Sequence, residues 1–236
     1  SDLTMVSAVT GYDRALKRHG RRFDENNLAL VPFLIREEAF SVPLDKKVNR
    51  KNLGFDEDKF TVVLAEGGYG VGKMQKICEK VLKRDLPVTL IPICGKNQKL
   101  YEYFITLKSK GKTDFRPQPF VSRIFEILAS ADLFCGKSGA GMIAEPCFFG
   151  VPQIITKYAT KIERLIGRYY IDSVKSAIKI FNPVKVADKI EEFSSSPALL
   201  EPYRNNALKQ RSNYGPEKAA RLTFELLCTR FPYLKD

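Results

Sequence analysis

The sequence predicts an α/β fold, a doubly wound parallel sheet flanked by helices. Three observations carry that expectation. Strand-length apolar runs alternate with helix-length segments along the chain, the pattern of successive βα units. The runs 60–65, 88–94 and 131–135 are apolar but for Thr61, Thr89 and Asp132, and do not alternate; the first above all reads as a strand covered on both faces. Each of the three then ends in a Gly-rich or Gly/Asn turn, and in such sheets ligands sit beyond the carboxyl ends of the strands.

The elements follow in order. Residues 5–19 read as a helix ending at Gly20, and 28–35 as a strand broken by Pro32. Residues 36–59 are polar, a loop plus a short helix. The strand 60–65 leads into a glycine loop, Glu66-Gly67-Gly68-Tyr69-Gly70-Val71-Gly72-Lys73, and a helix from 74 to 83. Strand 88–94 ends in Gly95-Lys96-Asn97 before a helix over 98–109. An extended piece ends at Phe120-Val121, and Ser122 is placed as N-cap of a helix through Ala129, with Glu126 in its early turns. Strand 131–135 turns at Gly136-Lys137-Ser138-Gly139-Ala140-Gly141 into a short helix carrying Glu145, which leaves through Gly150 and Pro152 to strand 153–155. Helices follow over 161–176, 184–193 (led by Asn182-Pro183), 197–211 and 216–230. The whole reads as Rossmann-like.

The chain has 236 residues, 44% hydrophobic and 28% charged, the balance of a globular protein. No apolar run approaches the ~18–20 residues of a membrane span. The start, Ser1-Asp2-Leu3-Thr4, lacks an initiator methionine and a basic stretch followed by an apolar core. No secretory leader is expected, and the chain reads as a fragment. The five cysteines have no C-x-x-C spacing and four sit in apolar stretches, which predicts reduced, buried thiols. His19, the one histidine, lies in a basic stretch and is placed on the solvated surface, so no metal site is expected. A net charge of +12 favours an anionic partner: nucleic acid, anionic lipid or a phosphorylated ligand. No aromatic-studded RNA-binding motif accompanies the charge, which sets nucleic acid aside.

Two motifs point to phosphate. After strand 131–135, a Gly/Ser turn opens a helix whose free backbone N–H groups and dipole favour an anion. Glu145 lies one turn further on, within reach of a ribose hydroxyl pair. The loop 67–74 nearly fits G-x-x-x-x-G-K-[ST], but Met74 stands where a hydroxyl would hold Mg²⁺. A P-loop phosphotransferase is thereby the third reading, while the glycines still admit a diphosphate close to the backbone.

The order and spacing of Gly67-Gly68-Tyr69-Gly70, Cys94-Gly95-Lys96-Asn97, Phe120-Val121, Lys137 to Glu145 and Asn206-Ala207-Leu208-Lys209 resemble the C-terminal half of a GT-B glycosyltransferase of family 28. Plastid galactolipid synthases, bacterial diacylglycerol glucosyltransferases and the peptidoglycan enzyme acting on lipid I are its relatives. The resemblance implies residues 27–236 as a nucleotide-sugar donor domain, with 1–26 the tail of an acceptor half and a linker. It implies a UDP-sugar donor and an inverting reaction without metal or other cofactor. Glu145 would hold the ribose and the Val121 backbone the uracil. Ser138, Gly139, Ala140, Gly141 and Met142, with Gly67, Gly68 and Gly70, would face the diphosphate. Gly95 and Asn97 would flank base and ribose, Arg36 would sit near the donor phosphates, and Glu163 would touch the sugar. The catalytic base is expected in the N-terminal half. A lipid acceptor, an anionic membrane surface and a cytoplasmic, inner-face location complete what the resemblance implies. Met142 replaces a family hydroxyl, and Ile162 and Ile166 replace two amides. A non-catalytic nucleotide-binding or scaffold domain is therefore the second reading.

Overall fold

The computed structural model describes residues 3–20, 22–24, 26–68 and 72–231, without the side chains of Val9, Thr10 and His19. The expectations for Gly70 and for the His19 side chain lie outside the described residues. The chain forms two units, Ser1–Arg36 with Ser212–Asp236, and Glu37–Arg211.

The smaller unit holds β1 (Thr4–Val6), α1 (Val9–His19) and β2 (Leu28–Leu30). Its two strands run parallel, with Thr4 opposite Leu28 and Val6 opposite Leu30. The helix expected from residue 5 therefore starts later, because Met5 and Val6 are drawn into strand pairing. Strand 28–35 is also shorter than expected. It stops at Leu30, and beyond Pro32 only Phe33 bridges, to Tyr214 of the same unit. The C-terminal helix (Glu217–Arg230) belongs to this unit.

The larger unit contains α2 (Glu38–Ser41), α3 (Lys46–Leu53), β3 (Phe60–Ala65), α4 (Met74–Arg84), β4 (Val88–Ile93), α5 (Gln98–Thr106), β5 (Asp114–Phe115), α6 (Ile124–Ala129) and β6 (Leu133–Lys137). It continues with α7 (Ala140–Phe148), β7 (Gln153–Lys157), α8 (Lys161–Arg168), a π-helical turn (Tyr169–Ser173), β8 (Ala177–Lys179), α9 (Pro183–Ser195), a 3-10 turn (Pro197–Leu200) and α10 (Glu201–Lys209). All six strands β3–β8 are parallel, in the order β5-β4-β3-β6-β7-β8. That is the doubly wound Rossmann order, with its reversal between β3 and β6.

All six residues of β3 and of β4 are buried. Alternate residues face opposite helix layers. Val62, Leu64 and Leu90 pack with Ile77, Val81, Phe104, Val186 and Ile190 of α4, α5 and α9 in one core. At the amino-terminal end of the sheet, Asp132 accepts hydrogen bonds from the Lys46 ammonium, the Arg50 guanidinium and the Thr61 N–H. These fix the start of β6 against β3.

Several elements differ from the sequence-based expectation. Strands β5 and β8 were not expected; they are edge strands of two and three residues, too short and too polar to show a period. The helix expected over 161–176 ends at Arg168 and gives way to the π turn and β8. Residues 36–59 hold two helices rather than one. Strand β6 starts at Leu133 and runs on through Gly136 and Lys137. Ser122 does not cap α6: Arg123 holds the cap position and pairs instead with Glu126 at 3.1 Å.

Candidate functional site

The reversal point lies between β3 and β6, and in sheets of this order a ligand crevice lies beyond the carboxyl ends of the strands there. Gly67 has φ +82°, and a Cβ there would stand 2.9 Å from the Lys137 Cε. The Gly68 carbonyl accepts a 2.7 Å hydrogen bond from the Lys96 N–H. Gly95 has φ +60°, and a Cβ on it would fall 2.5 Å from the Gly68 oxygen. Glycine at 95 is thus the condition for the β3 and β4 loops to touch. Asn97 caps α5 by accepting from the Leu100 N–H at 3.1 Å.

The turn after β6 is built differently. Ser138 is fully buried and donates its hydroxyl to the Glu163 carbonyl at 2.8 Å, tying the turn to α8. Gly139, extended at φ −62° and ψ 149°, is the N-cap of α7 and supplies no capping side chain; no acid stands in the first turn. Ala140 and Gly141 are exposed and Met142 is half-buried. This N-terminus offers its backbone N–H groups and dipole to an anion. Glu145 is half-buried on the same side of α7 as Gly141; a Cβ at 141 would lie 3.6 Å from the Glu145 Oε1.

Glu163 serves the fold directly. Its N–H donates to the Thr160 Oγ1 at 3.1 Å, and its Oε2 accepts from the Ala159 N–H at 2.6 Å, a reciprocal cap on α8. Its Oε1 lies 3.6 Å from the Lys137 ammonium. Lys137 therefore bridges the β3 glycine loop and the start of α8, one cation at the mouth of the crevice.

Glu66, absent from the sequence-derived site, closes the other helix. It is 3% exposed. Its carboxylate accepts from the N–H groups of Lys73 at 2.7 Å and Met74 at 3.0 Å, and from the Thr156 hydroxyl at 3.3 Å. The two N–H groups that a P-loop would turn to phosphate are held by this internal carboxylate. The Lys73 ammonium donates to the Phe181 carbonyl at 2.6 Å, so the P-loop reading loses its lysine as well. An acid placed directly between a buried strand and a glycine loop was the signal available. Lys137 was equally legible, as a basic residue ending a buried strand. At the end of β4, burial pushes the Cys94 thiol up to about 11, which keeps it neutral and unreactive.

The structure thus brings Gly67 against Lys137, Gly68 against Gly95, and Ser138 and Gly139 beside Glu163, while Asn97 caps α5 and Ala140, Gly141, Met142 and Glu145 lie on α7. Val121 is half-buried, just beyond Gln118, which bridges to Ile93 of β4. Arg36 belongs to the smaller unit.

The geometry has a counterpart among known proteins. Residues 72–166 match the glycosyltransferase family 28 C-terminal domain. The family 28 match begins at Gly72 and takes in β4, the β6–α7 turn and most of α8. Over 200 residues the chain is 26% identical to monogalactosyldiacylglycerol synthase 3 of Arabidopsis thaliana, covering 79% of this chain and 41% of that protein. Over 138 residues it is 28% identical to the processive diacylglycerol beta-glucosyltransferase of Bacillus subtilis, covering 58% and 35%. The chain thus spans less than half the length of these two relatives. Its fold is similar to that of Arabidopsis thaliana UGT89C1 complexed with UDP, with a TM-score of 0.62 at 15% identity over 90% of this chain and 53% of that one. Over residues 72–166 the chain is thus similar to a glycosyltransferase-family domain, on a Rossmann-like fold.

Proposed function

We propose that the larger unit binds the donor of an inverting, UDP-sugar-dependent glycosyltransferase that transfers a hexose to a lipid acceptor. The observation that carries this reading is the asymmetry of the crevice. The α4 N-terminus is filled by Glu66, whereas the α7 N-terminus, following the adjacent parallel strand, has no side-chain cap. A diphosphate at α7 would meet backbone N–H groups and the Lys137 ammonium, and the ribose hydroxyls would reach Glu145 on the same helix. Gly95 and Asn97 would border the nucleoside, with Val121 at its base and Glu163 toward the sugar.

Helix N-terminus and ammonium together would stabilise charge on the leaving diphosphate, so this reading requires no metal or other cofactor. The catalytic base would come from an acceptor half, of which residues 1–26 are the tail. The full enzyme would work at the inner, cytoplasmic face of an anionic membrane. Among the described residues no helix is long and apolar enough to cross one.

Calorimetric titration with UDP in the presence of EDTA tests the reading: binding lost in Glu145→Ala supports it, and undiminished binding in that variant sinks the ribose assignment. A second reading, a non-catalytic nucleotide-binding domain, is favoured by the thioether of Met142 in the first turn of α7. UDP binding without sugar transfer by the full-length protein would select it.

A further inference from the structure

Beside the donor crevice, the larger unit carries a groove of about 420 Å³ between α8, the π turn and the end of β8. Its walls include Tyr158, Arg164, Arg168, Lys179 and Phe181, with Asp172 the one acid. The Tyr158 and Phe181 rings meet edge to face at 5.1 Å and give the groove a rigid aromatic floor. Arg168 is held by Asp172 at 3.3 Å. That leaves Arg164 and Lys179, both exposed, as cations in excess.

The outer face of α8 adds a second feature. Ile162 is 69% exposed and Leu165 is 49% exposed. They stand three residues apart, on one stripe of the helix. Alongside runs a charged stripe, Lys161, Arg164 and Arg168, also exposed. The inward residues Glu163 and Gly167 are engaged with the fold: a Cβ on Gly167 would lie 2.6 Å from the Tyr158 ring and 3.1 Å from the Ser138 hydroxyl. The groove is therefore one residue layer from the β6–α7 turn. Exposed aliphatics flanked by arginine and lysine, over an aromatic-lined basic groove, are the chemistry of a helix lying at an anionic lipid surface. A soluble anion would satisfy the cations but give the two aliphatic side chains no gain. A lipid surface satisfies both.

We propose that the outer face of α8 and the adjoining groove dock on an anionic membrane, with a lipid phosphate seated among Arg164, Lys179 and the Tyr158–Phe181 pair. The proposal deepens the lipid-acting reading above by placing the contact on the donor half, next to the donor turn. Membrane contact and donor entry would then occur on the same end of the sheet.

The sequence contains no tryptophan, so one introduced by substitution is a clean reporter. The experiment compares the full chain carrying Leu165→Trp with one carrying Leu199→Trp. Leu199 is also exposed but lies in the turn that follows the far end of α9. Both are mixed with vesicles of phosphatidylcholine, alone or with phosphatidylglycerol. A blue shift at 165 but not at 199, only with phosphatidylglycerol and reversed by salt, is the expected result. Sedimentation with the same vesicles should fall about fivefold for each of Arg164→Gln and Lys179→Gln. Equal shifts at both sites, equal binding to neutral vesicles, or full binding by Arg164→Gln/Lys179→Gln overturns the proposal. So does single-stranded RNA that displaces the protein from vesicles and itself gives the Leu165→Trp shift. UDP titration of the same variants separates the two readings. Lost vesicle binding with UDP binding intact is the expected result for Arg164→Gln/Lys179→Gln. A wild-type chain that binds vesicles through α8 but not UDP would refute the donor assignment and leave the docking surface standing.

Discussion

The Glu66 carboxylate accepts a hydrogen bond from the Met74 N–H at 3.0 Å, so α4 begins on an anion that the chain itself supplies. The Lys73 N–H shares it at 2.7 Å. Buried bonds to a charged group are worth roughly 1.5–3 kcal/mol each. Glu66→Ala leaves both donors unsatisfied, and a loss of about 3 kcal/mol in unfolding free energy, read from urea denaturation, is expected. A phosphate or ATP that restores the stability of this variant would show that the vacated helix end takes external anions; the wild-type chain should show no such response.

Gly72 is the steric partner of that arrangement. A Cβ there would fall 2.1 Å from the Glu66 Oε2. Gly72→Ala should therefore cost about 1–3 kcal/mol, as overpacking does. In Gly72→Ala/Glu66→Ala the clash is gone, so the combined loss should be clearly smaller than the sum. Additive losses measured by urea unfolding would contradict the contact.

Lys137 and Glu145 should divide the affinity for UDP between them. On the proposed donor placement, Glu145→Ala would remove ribose bonds and weaken UDP and uridine alike by about 1.5–3 kcal/mol per bond. Lys137→Met removes a cation from the phosphate end, so it should weaken UDP by a similar amount and leave uridine unchanged. Titrations in which Lys137→Met weakens uridine as much as UDP would place the lysine away from phosphate.

Gly95→Ala joins a backbone cost to a steric one. The left-handed φ of +60° costs a non-glycine residue about 1–2 kcal/mol. The Gly68 carbonyl at 2.5 Å from the new Cβ must also move. Both β-loops should loosen, and hydrogen exchange at the Lys96 amide, which the Gly68 carbonyl now holds, should accelerate.

Alkaline pH should act on the thiols. Cys94 ionises near 9.0 when free, and burial raises it to about 11; burial pushes Cys78 and Cys135 up as well. Between those values the native state keeps protons that the unfolded chain has lost. The thiol contribution is whole below the free value and is lost as pH rises through the native one. Lys46 has the opposite sign, since burial lowers its pKa, and its penalty eases toward 10.5. Iodoacetamide labelling read by mass spectrometry isolates the thiols: Cys94 should stay unlabelled until the pH nears 11, and prompt labelling near 9 would show it exposed.

The legible parts of the fold are those where one physical signal dominates. Strands β3 and β4 are buried on both faces, and their apolar runs mark them almost to the residue. Edge strands β5 and β8 gain their conformation from neighbours, and no two- or three-residue stretch can announce that. Thr4–Val6 likewise becomes a strand only because Leu28–Leu30 lies beside it. In the site, glycine spacing locates the converging loops, because close approach demands glycine. It does not assign roles. Ser138, Asn97 and Glu163 were read as ligand groups, and each also fastens a turn or caps a helix. Glu66 was marked only by its place between a buried strand and a glycine loop; its partners lie across that loop and on β7, which the local sequence does not connect to it.

The strand order has a consequence for the chain as it is made. Val62 of β3 pairs with Leu90 on one side, but with Leu133 of β6 on the other. At the usual pace of synthesis, roughly 5–20 residues per second, one edge of the central strand waits several seconds for its partner. During that interval a strand that is apolar but for Thr61 is open to other nascent chains. A ribosome-stalled product ending before β6 should therefore be captured by chaperones, and one extended past β7 should be released.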